Sequence, residues 1–445
     1  MEKRYGLLVA IAMVVGTVIG SGVFFKAETV LNKTGGNMML GIAAWLIVGV
    51  VMIICSYTFG IVAGHYDGAE GLVGFARASC GSNYSYYVGW FMTTVYYPTL
   101  TAVLCWLPAR FFGVLVGWDD PTGGPVMALS VGFLAVTYAM NALAPRLAGK
   151  FQISATVIKL VPLALMAVVG TIAGLSSGQI TYNFANVVNP SVTPSAGLFA
   201  AVVALSFAYE GWICATSIGS ELKDAKRNLP KALVLGSFVV VAVYVLYYIG
   251  LSGAIDSATM MKGGQAGAKM AFQNIFGQVG GVAIFVFVVV SCWGTCNGLM
   301  MATTRGMYDL ATEENEKLAM FRSVDPHTNM PTNSSVFGLL MTGLWLVYFY
   351  GANLTSGWFG VFDFDSSELP IITLYAMYIP IFVALMKQKS LGGFKRIVAP
   401  VLSILCSLFM VFATFYAYRI TVVYYIVVFA VIMAIGAALK GKKKA

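Results

Sequence analysis

The sequence contains few charged residues. Lysine, arginine, aspartate and glutamate make up 10% of its 445 residues, whereas 59% of the residues are hydrophobic. A soluble globular protein carries about 25% charged residues, because its surface must face water. This shortage excludes a water-exposed globular domain as the main structure and indicates a chain whose outer surface faces lipid.

Residues that usually build metal sites and enzyme active sites are also scarce. The only histidines are His65 and His327, which are far apart and lie in predicted loops. The seven cysteines lack the paired spacing of a disulfide framework or a thiolate metal site, so we interpret them as membrane-packing residues. No phosphate-binding GxxxxGK(S/T) motif is present, which argues against ATP-driven pumping. We therefore predict no enzyme activity, no metal and no cofactor.

The apolar residues form repeated segments of about 20 residues, separated by short polar connections. A helix of that length crosses a hydrocarbon core of about 30 Å, and the alternating pattern of transmembrane strands is absent. We predict an all-α membrane protein with twelve spans, numbered in chain order: 6–26, 39–64, 84–108, 125–143, 151–175, 196–219, 232–254, 281–303, 334–351, 369–386, 398–417 and 420–439.

The lysine and arginine residues of the predicted loops are distributed unequally between the two sides of the membrane. With both termini placed on one side, that side receives 20 of these residues and the other side receives 6. Cytoplasmic loops carry the excess of positive charge, so we predict a plasma-membrane protein with both termini in the cytoplasm. The net charge of +9 then follows from topology and requires no nucleic-acid partner.

Two of the predicted spans contain signals for an interrupted helix. Span 1 reads VVGTVIGSGVFF, with Gly16, Gly20 and Gly22 inside it, and span 6 reads ALSFAYEGW, with Gly211 next to Glu210. Unwound backbone at membrane depth is tolerated where it lines a cavity. Two breaks at matching positions of a five-plus-five repeat indicate the central site of a transporter. Glycine-mediated helix packing is the alternative for span 1, and nothing indicates the carbonyl or charge rings of a channel.

Two charged residues lie in the interior of predicted spans. Lys159 is in the middle of span 5, in ATVIKLVPLAL, and Glu210 is its acidic counterpart in span 6. Such groups are costly in a membrane and usually face a protein interior or a wet cavity. The alternative for Lys159 is a side chain that reaches along the helix to the membrane interface, but its position in mid-span argues against this.

Four motifs, taken in order along the chain, resemble the amino acid–polyamine–organocation superfamily: GTVIGSGVF, KLVPLALMAVVG, FAYEGW and ELKDAKRNLPKAL. The similarity is greatest to the L-type amino-acid transporter family and its bacterial serine/threonine exchangers. The resemblance implies a LeuT-type fold in a single domain, 1–445, with inverted five-helix repeats at about 6–175 and 196–386 and extra helices at about 398–439. It also implies sodium-independent exchange of L-amino acids by alternating access, with small or neutral amino acids as substrates.

The resemblance also assigns roles to individual residues. The backbone amides that receive the substrate carboxylate are those of Gly20, Ser21 and Gly22. The backbone carbonyls that receive its ammonium group are those of Val18, Ile19, Phe207, Ala208 and Glu210. The substrate side chain meets a pocket that includes Cys292, Trp293 and Thr295 of span 8. Phe207 closes over the substrate, Tyr244 links the break of span 1 to span 7, and Lys159 replaces the sodium ion that holds span 1 in sodium-coupled relatives.

The sequence departs from the family pattern in three places. The loop HYDGAEGLVGF lacks the usual proline and paired glycines, and Glu210 stands where relatives have Asp or Gly. The loop GWDDPTGG lacks the cysteine that animal members use to bond a glycoprotein subunit, so we expect no such partner. Two alternatives stay open: a proton-coupled symporter, with Lys159 or Glu210 carrying the proton, and an exchanger of cationic amino acids, as in some relatives with an acid at position 210.

Overall fold

The structure is a computed structural model that describes residues 6–66, 71–118, 120, 122–213, 216, 222–311, 316–355 and 357–441. Within these ranges the regular structure is α-helical, with short π- and 3-10-helical segments. The predicted all-α class is therefore confirmed.

Most of the predicted spans are present as long apolar helices. Over the described ranges, ten single helices are long and apolar enough to cross a membrane, and a bent pair forms a further span. The bent pair, Leu7–Val18 with Ser21–Lys33, is span 1. The others are spans 2–5 and 7–12: Met38–His65, Ser82–Val116, Gly124–Leu143, Pro145–Ser177, Lys226–Ala254, Gln265–Leu310, Thr332–Leu354, Leu369–Met386, Phe394–Tyr418 and Ile420–Leu439.

Span 6 begins with the shorter apolar helix Pro194–Ser206, followed by turns at 207–211 and 3-10 helical residues at 212 and 213. Of its remaining predicted range, the structure describes only residue 216. Short helices also occupy the connections between spans: Gly71–Cys80, Gln179–Ala185, Ser257–Gly263, Glu316–Arg322 and Gly360–Phe362.

Span 3 extends beyond its predicted end at residue 108. The helix Tyr97–Val116 continues through Pro108, since membrane helices tolerate proline where neighbouring groups satisfy the freed backbone. Arg110, which the topology count placed in a loop, is therefore on this helix and is 5% exposed. Its Nη1 donates a hydrogen bond of 2.9 Å to the carbonyl oxygen of Trp118 just after the helix.

Span 8 also differs from its predicted range of 281–303. The helical segment Gln265–Leu310 contains one non-helical residue, Gly277, at φ +73°. The prediction started only after this break, because the polar residues before it read as a loop. The segment before Gly277 is nevertheless helical.

The chain divides into two compact units, each assembled from three segments. The first unit consists of Met1–Ser82, Lys159–Phe287 and Ile371–Ala417, and the second consists of Asn83–Ile158, Val288–Pro370 and Tyr418–Ala445. Each unit takes residues from both halves of the sequence. The units therefore do not coincide with the two predicted repeats, whose boundaries stay a prediction.

Close backbone contact between spans 5 and 7 organises the first unit. A Cβ atom added at Gly250 would lie 2.1 Å from the carbonyl oxygen of Met166, and one added at Gly253 would lie 2.3 Å from that of Gly170. Small residues at membrane helix interfaces allow this approach. Glycine is thus required at these positions by packing.

A buried amide network links spans 4, 5 and 8 within the second unit. Asn141 Nδ2 donates to Asn297 Oδ1 at 2.9 Å, and Asn297 Nδ2 donates to Gln152 Oε1 at 3.0 Å. Asn297 Nδ2 also lies 3.1 Å from the carbonyl oxygen of Ala148. Buried polar groups require such partners in a membrane, so this network fixes the register of the three helices.

Candidate functional site

The break in span 1 falls where the glycines predicted it. The first helix ends at Val18, the second begins at Ser21, and their axes are bent by 49°. Ile19 and Gly20 between them have non-helical backbone angles. The break exposes carbonyl groups at the end of one helix and amide groups at the start of the next, and neither set has partners within its own helix.

The break in span 6 is also present. The helix ends at Ser206, and the chain continues in turns through Glu210 to Gly211. Gly211 has φ +107°, a backbone conformation that residues with a side chain rarely adopt. The backbone conformation therefore explains why a glycine occupies position 211.

The two breaks pack directly against each other within the first unit. A Cβ atom at Gly22 would lie 2.6 Å from Cα of Ala208, and a Cβ atom at Gly211 would lie 2.7 Å from the carbonyl oxygen of Thr17. Each glycine therefore allows the backbone of the other span to approach. The structure brings together residues 18–22 with 207, 208 and 210, which the sequence analysis assigned to one site.

Tyr244 of span 7 contacts both breaks. Its hydroxyl lies 3.0 Å from the carbonyl oxygen of Val18 and 2.9 Å from that of Ala208. The predicted link between span 1 and span 7 is present, and the structure adds span 6 to it. Tyr244 is completely buried, so this hydroxyl is a local donor for carbonyl groups that no helix satisfies.

A second tyrosine, which the sequence analysis did not select, supports this arrangement. Tyr209 lies in the break of span 6, and its hydroxyl donates a hydrogen bond of 2.8 Å to the carbonyl oxygen of Trp45 in span 2. Its ring packs 5.1 Å from that of Tyr244 and 5.7 Å from that of Trp45, measured between centroids. The tyrosine inside the motif FAYEGW could have marked this position from the sequence. The motif alone, however, does not reveal that its partner is Trp45 on span 2.

Lys159 contacts span 1 just before its break. The helix of span 5 ends at Ile158 and resumes at Leu160, and the Lys159 ammonium donates a hydrogen bond to the carbonyl oxygen of Gly16. The side chain is 3% exposed. This geometry is inconsistent with a lysine that reaches to the membrane interface.

Comparison with known proteins identifies the family. The model of the amino acid permease family matches residues 5–438, which is nearly the whole sequence. The chain belongs to the amino acid permease family. The resemblance found from its motifs, to the superfamily and to L-type transporters within it, is confirmed.

Three relatives illustrate the range of similarity. The permease is 26% identical over 423 residues to the serine/threonine exchanger SteT of Bacillus subtilis (strain 168). This alignment covers 93% of the permease and 91% of SteT. It is 26% identical over 427 residues to the b(0,+)-type amino acid transporter 1 of Homo sapiens, covering 93% and 82%. It is 22% identical over 335 residues to the cystine/glutamate transporter of Homo sapiens, covering 74% and 66%.

A solved structure identifies the fold of the permease. The crystal structure of MhsT in complex with L-phenylalanine matches with a TM-score of 0.59 and 15% sequence identity, covering 94% of this chain and 100% of that chain. At this identity the match establishes the fold and not the substrate. The predicted LeuT-type fold is confirmed.

Glu210 and Phe207 have different surroundings in the break of span 6 of the permease. Glu210 is partly buried and lies in the turn that interrupts span 6. Phe207 is 7% exposed, and its ring packs edge-on against that of Phe25 at 6.0 Å. The proposed roles of both side chains, in selectivity and in closure, stay predictions.

The predicted side-chain pocket residues belong to the second unit of the permease. Cys292 is completely buried. Trp293 donates from Nε1 to Thr137 Oγ1 at 2.9 Å, and Thr295 Oγ1 donates to the carbonyl oxygen of Ser291 at 3.0 Å. These contacts anchor the two side chains inside their own unit, and their assignment to a substrate pocket stays a prediction.

The two breaks of the permease offer complementary backbone groups. The start of Ser21–Lys33 presents amides at the positive end of a 13-residue helix, which suits an anion. The carbonyl groups at the ends of the preceding helices of spans 1 and 6 suit a cation. No group of three or more metal-ligating side chains occurs among the described residues. Together, these amides and carbonyls can hydrogen-bond an anionic group and a cationic group.

Proposed function

We propose that this permease is a sodium-independent exchanger of small or neutral L-amino acids that works by alternating access. It transports its substrate and does not transform it chemically. We further propose that it lies in the plasma membrane with both termini cytoplasmic, and that it needs no disulfide-linked glycoprotein subunit.

The observation that carries the sodium-independent part is the contact between Lys159 and Gly16. A metal ion that held span 1 would need several oxygen ligands around this carbonyl. The ammonium of Lys159 supplies a positive charge from within the chain and bonds the same backbone. A buried ammonium with an acceptor avoids the cost of an unpaired charge at membrane depth.

The backbone groups at the two breaks support an amino-acid substrate. An amino-acid zwitterion has one carboxylate and one ammonium, and the amides near Ser21 and the carbonyls near Val18 and Ala208 match these two ends. The family supports the same class, since relatives of this chain include a serine/threonine exchanger and a b(0,+)-type amino acid transporter.

Uptake into proteoliposomes tests the proposal. Purified protein is reconstituted with or without unlabelled internal amino acid, and a labelled panel that includes serine, threonine, leucine, glutamate and arginine is added outside. The sodium concentration and the pH are varied separately. We expect uptake of neutral amino acids that requires internal amino acid and is unchanged when sodium is replaced by choline. Protein-free liposomes with the same internal solution provide the background.

Three outcomes would contradict parts of this proposal. Full uptake into empty vesicles, driven by a sodium gradient, would refute sodium-independent exchange. Uptake into empty vesicles that follows an imposed proton gradient would favour the proton-coupled symporter. The buried Lys159 is the structural observation in favour of that alternative. Preference for arginine over neutral amino acids would favour an exchanger of cationic amino acids. The acidic Glu210 in the break of span 6 is the observation in favour of that alternative.

A further inference from the structure

Lys26 is a buried cation close to the candidate site. It lies on the helix Ser21–Lys33 and is 2% exposed, although predicted span 1, 6–26, ends at this residue. It lies four positions after Gly22, which corresponds to about 6 Å along the helix axis. Lys26 is thus about one helical turn from the break of span 1.

The Lys26 ammonium lies close to two aromatic rings, one from each interrupted span. Its Nζ atom is 4.9 Å from the ring centroid of Phe25 in span 1 and 5.4 Å from that of Phe207 in span 6. A cation within about 6 Å of an aromatic face is attracted by the ring quadrupole, and the attraction is stronger when the cation is removed from water. All three residues belong to the first unit.

Phe207 depends on such neighbours for its position. It follows the last residue of the helix Pro194–Ser206 and lies in a turn. Its ring is held by Phe25 edge-on and by the Lys26 ammonium. Loss of one of these contacts removes a constraint on the ring.

We propose that Lys26 is a positioning residue for Phe207: its ammonium holds the ring against span 1 and so keeps this face of the break closed. The consequence for transport rests on the proposed function, in which Phe207 closes over a bound amino acid. The contact itself does not require any substrate. The two parts can therefore be tested separately.

The first experiment measures closure without a substrate. Ser21, which is completely buried at the break, is replaced by cysteine, and its alkylation rate by a water-soluble maleimide is followed in nanodiscs. The protein without Ser21→Cys gives the background from native cysteines. Lys26→Met removes the cation and keeps the side-chain length, Lys26→Arg keeps a cation, and Lys33→Met removes an exposed cation from the same helix as a control.

We expect Lys26→Met to raise the alkylation rate about three- to tenfold. A change of this size corresponds to the loss of a desolvated cation–π contact. Lys26→Arg should restore most of the closure, and Lys33→Met should leave the rate unchanged. In a Phe207→Leu background, Lys26→Met should add little, because the ring it acts on is absent. An unchanged rate in Lys26→Met, or an undiminished effect in Phe207→Leu, would overturn the proposal.

The second experiment measures the effect on a bound amino acid. Release of a labelled neutral amino acid from purified protein should accelerate in Lys26→Met by about the same factor, and Lys26→Arg should rescue it. If the wild-type protein binds and exchanges no amino acid, the proposed function fails while the alkylation result still decides the role of Lys26. If release is unchanged while alkylation accelerates, Phe207 does not close over the substrate, and the consequence drawn for transport is overturned.

Discussion

The ammonium of Lys159 donates a hydrogen bond to the carbonyl oxygen of Gly16, two residues before the first helix of span 1 ends at Val18. Lys159 itself separates two helical segments of span 5. A charged hydrogen bond thus connects the break of span 5 to the segment just before the break of span 1. Loss of this contact should affect the movement of span 1 more than the groups that bind substrate.

Lys159→Ala should therefore separate binding from transport. We expect substrate affinity to stay within about tenfold of wild type, which corresponds to roughly 1.4 kcal/mol, while the exchange rate falls much further. Binding to purified protein and exchange in proteoliposomes provide the two measurements. Lys150→Ala, an exposed lysine on the same span, is the control and should retain both activities.

Two results for Lys159→Ala would contradict the interpretation. Loss of binding without a separate loss of turnover would place Lys159 in the substrate site. Exchange at the wild-type rate would show that the contact with Gly16 has no role in transport, and the explanation of sodium independence would then be wrong.

Tyr244→Phe should destabilise the protein, because it removes the donor shared by the carbonyl oxygens of Val18 and Ala208. A buried acceptor left without its donor costs about 1–3 kcal/mol, so the midpoint of thermal unfolding in detergent should fall. Tyr248→Phe is the matched control. Tyr248 lies one turn further along span 7, and its hydroxyl has no hydrogen-bond partner among the described residues. Equal midpoints for the two variants would show that the Tyr244 hydrogen bonds contribute no net stability.

Gly211→Ala should strongly destabilise the break of span 6. An alanine there must adopt φ near +107° and places its Cβ atom 2.7 Å from the carbonyl oxygen of Thr17. Backbone strain alone costs about 1–3 kcal/mol, and the steric overlap adds to it. Gly343→Ala, in an open position on the helix Thr332–Phe349, should gain up to about 1 kcal/mol from helix propensity. Thermal unfolding measures both, and a Gly211→Ala protein as stable as wild type would contradict the described conformation.

Glu210→Gln should alter selectivity or pH dependence. The carboxyl group lies in the break of span 6, so removal of its charge changes the electrostatic potential at the site while the side-chain shape is kept. We expect a changed ratio of neutral to cationic amino-acid uptake, or a shifted pH profile of exchange. Unchanged selectivity, pH profile and thermal stability together would show that the carboxylate has no role.

The sequence was sufficient for the features that depend on composition and local glycine patterns. Span lengths follow from hydrophobicity, and the break of span 1 follows from Gly20 and its neighbours, because glycine weakens a helix regardless of its surroundings. The contact of Lys159 with span 1 was also predictable, since a lysine in mid-membrane needs an acceptor and a broken helix supplies one.

The features that the sequence analysis missed depend on partners distant in the chain. Lys26 was predicted as the last residue of span 1 because lysine usually marks the end of a span, and only the packed structure shows the rings beside it. The hydrogen bond from Tyr209 to Trp45 joins residues 164 positions apart. The end of span 3 was misplaced because Pro108 stops helices in water but is tolerated in a membrane helix.

The Tyr244 hydroxyl has one proton and faces two carbonyl oxygens, so it can satisfy only one of them fully in any rotamer. The other carbonyl, on Val18 or Ala208, keeps its lone pairs available for another donor. If the α-ammonium of an amino acid hydrogen-bonds one carbonyl oxygen, rotation of the O–H bond alone directs the tyrosine proton to the other carbonyl oxygen. A loaded site and an empty site can then differ by a hydroxyl rotation and one ligand, with no helix broken or formed between them.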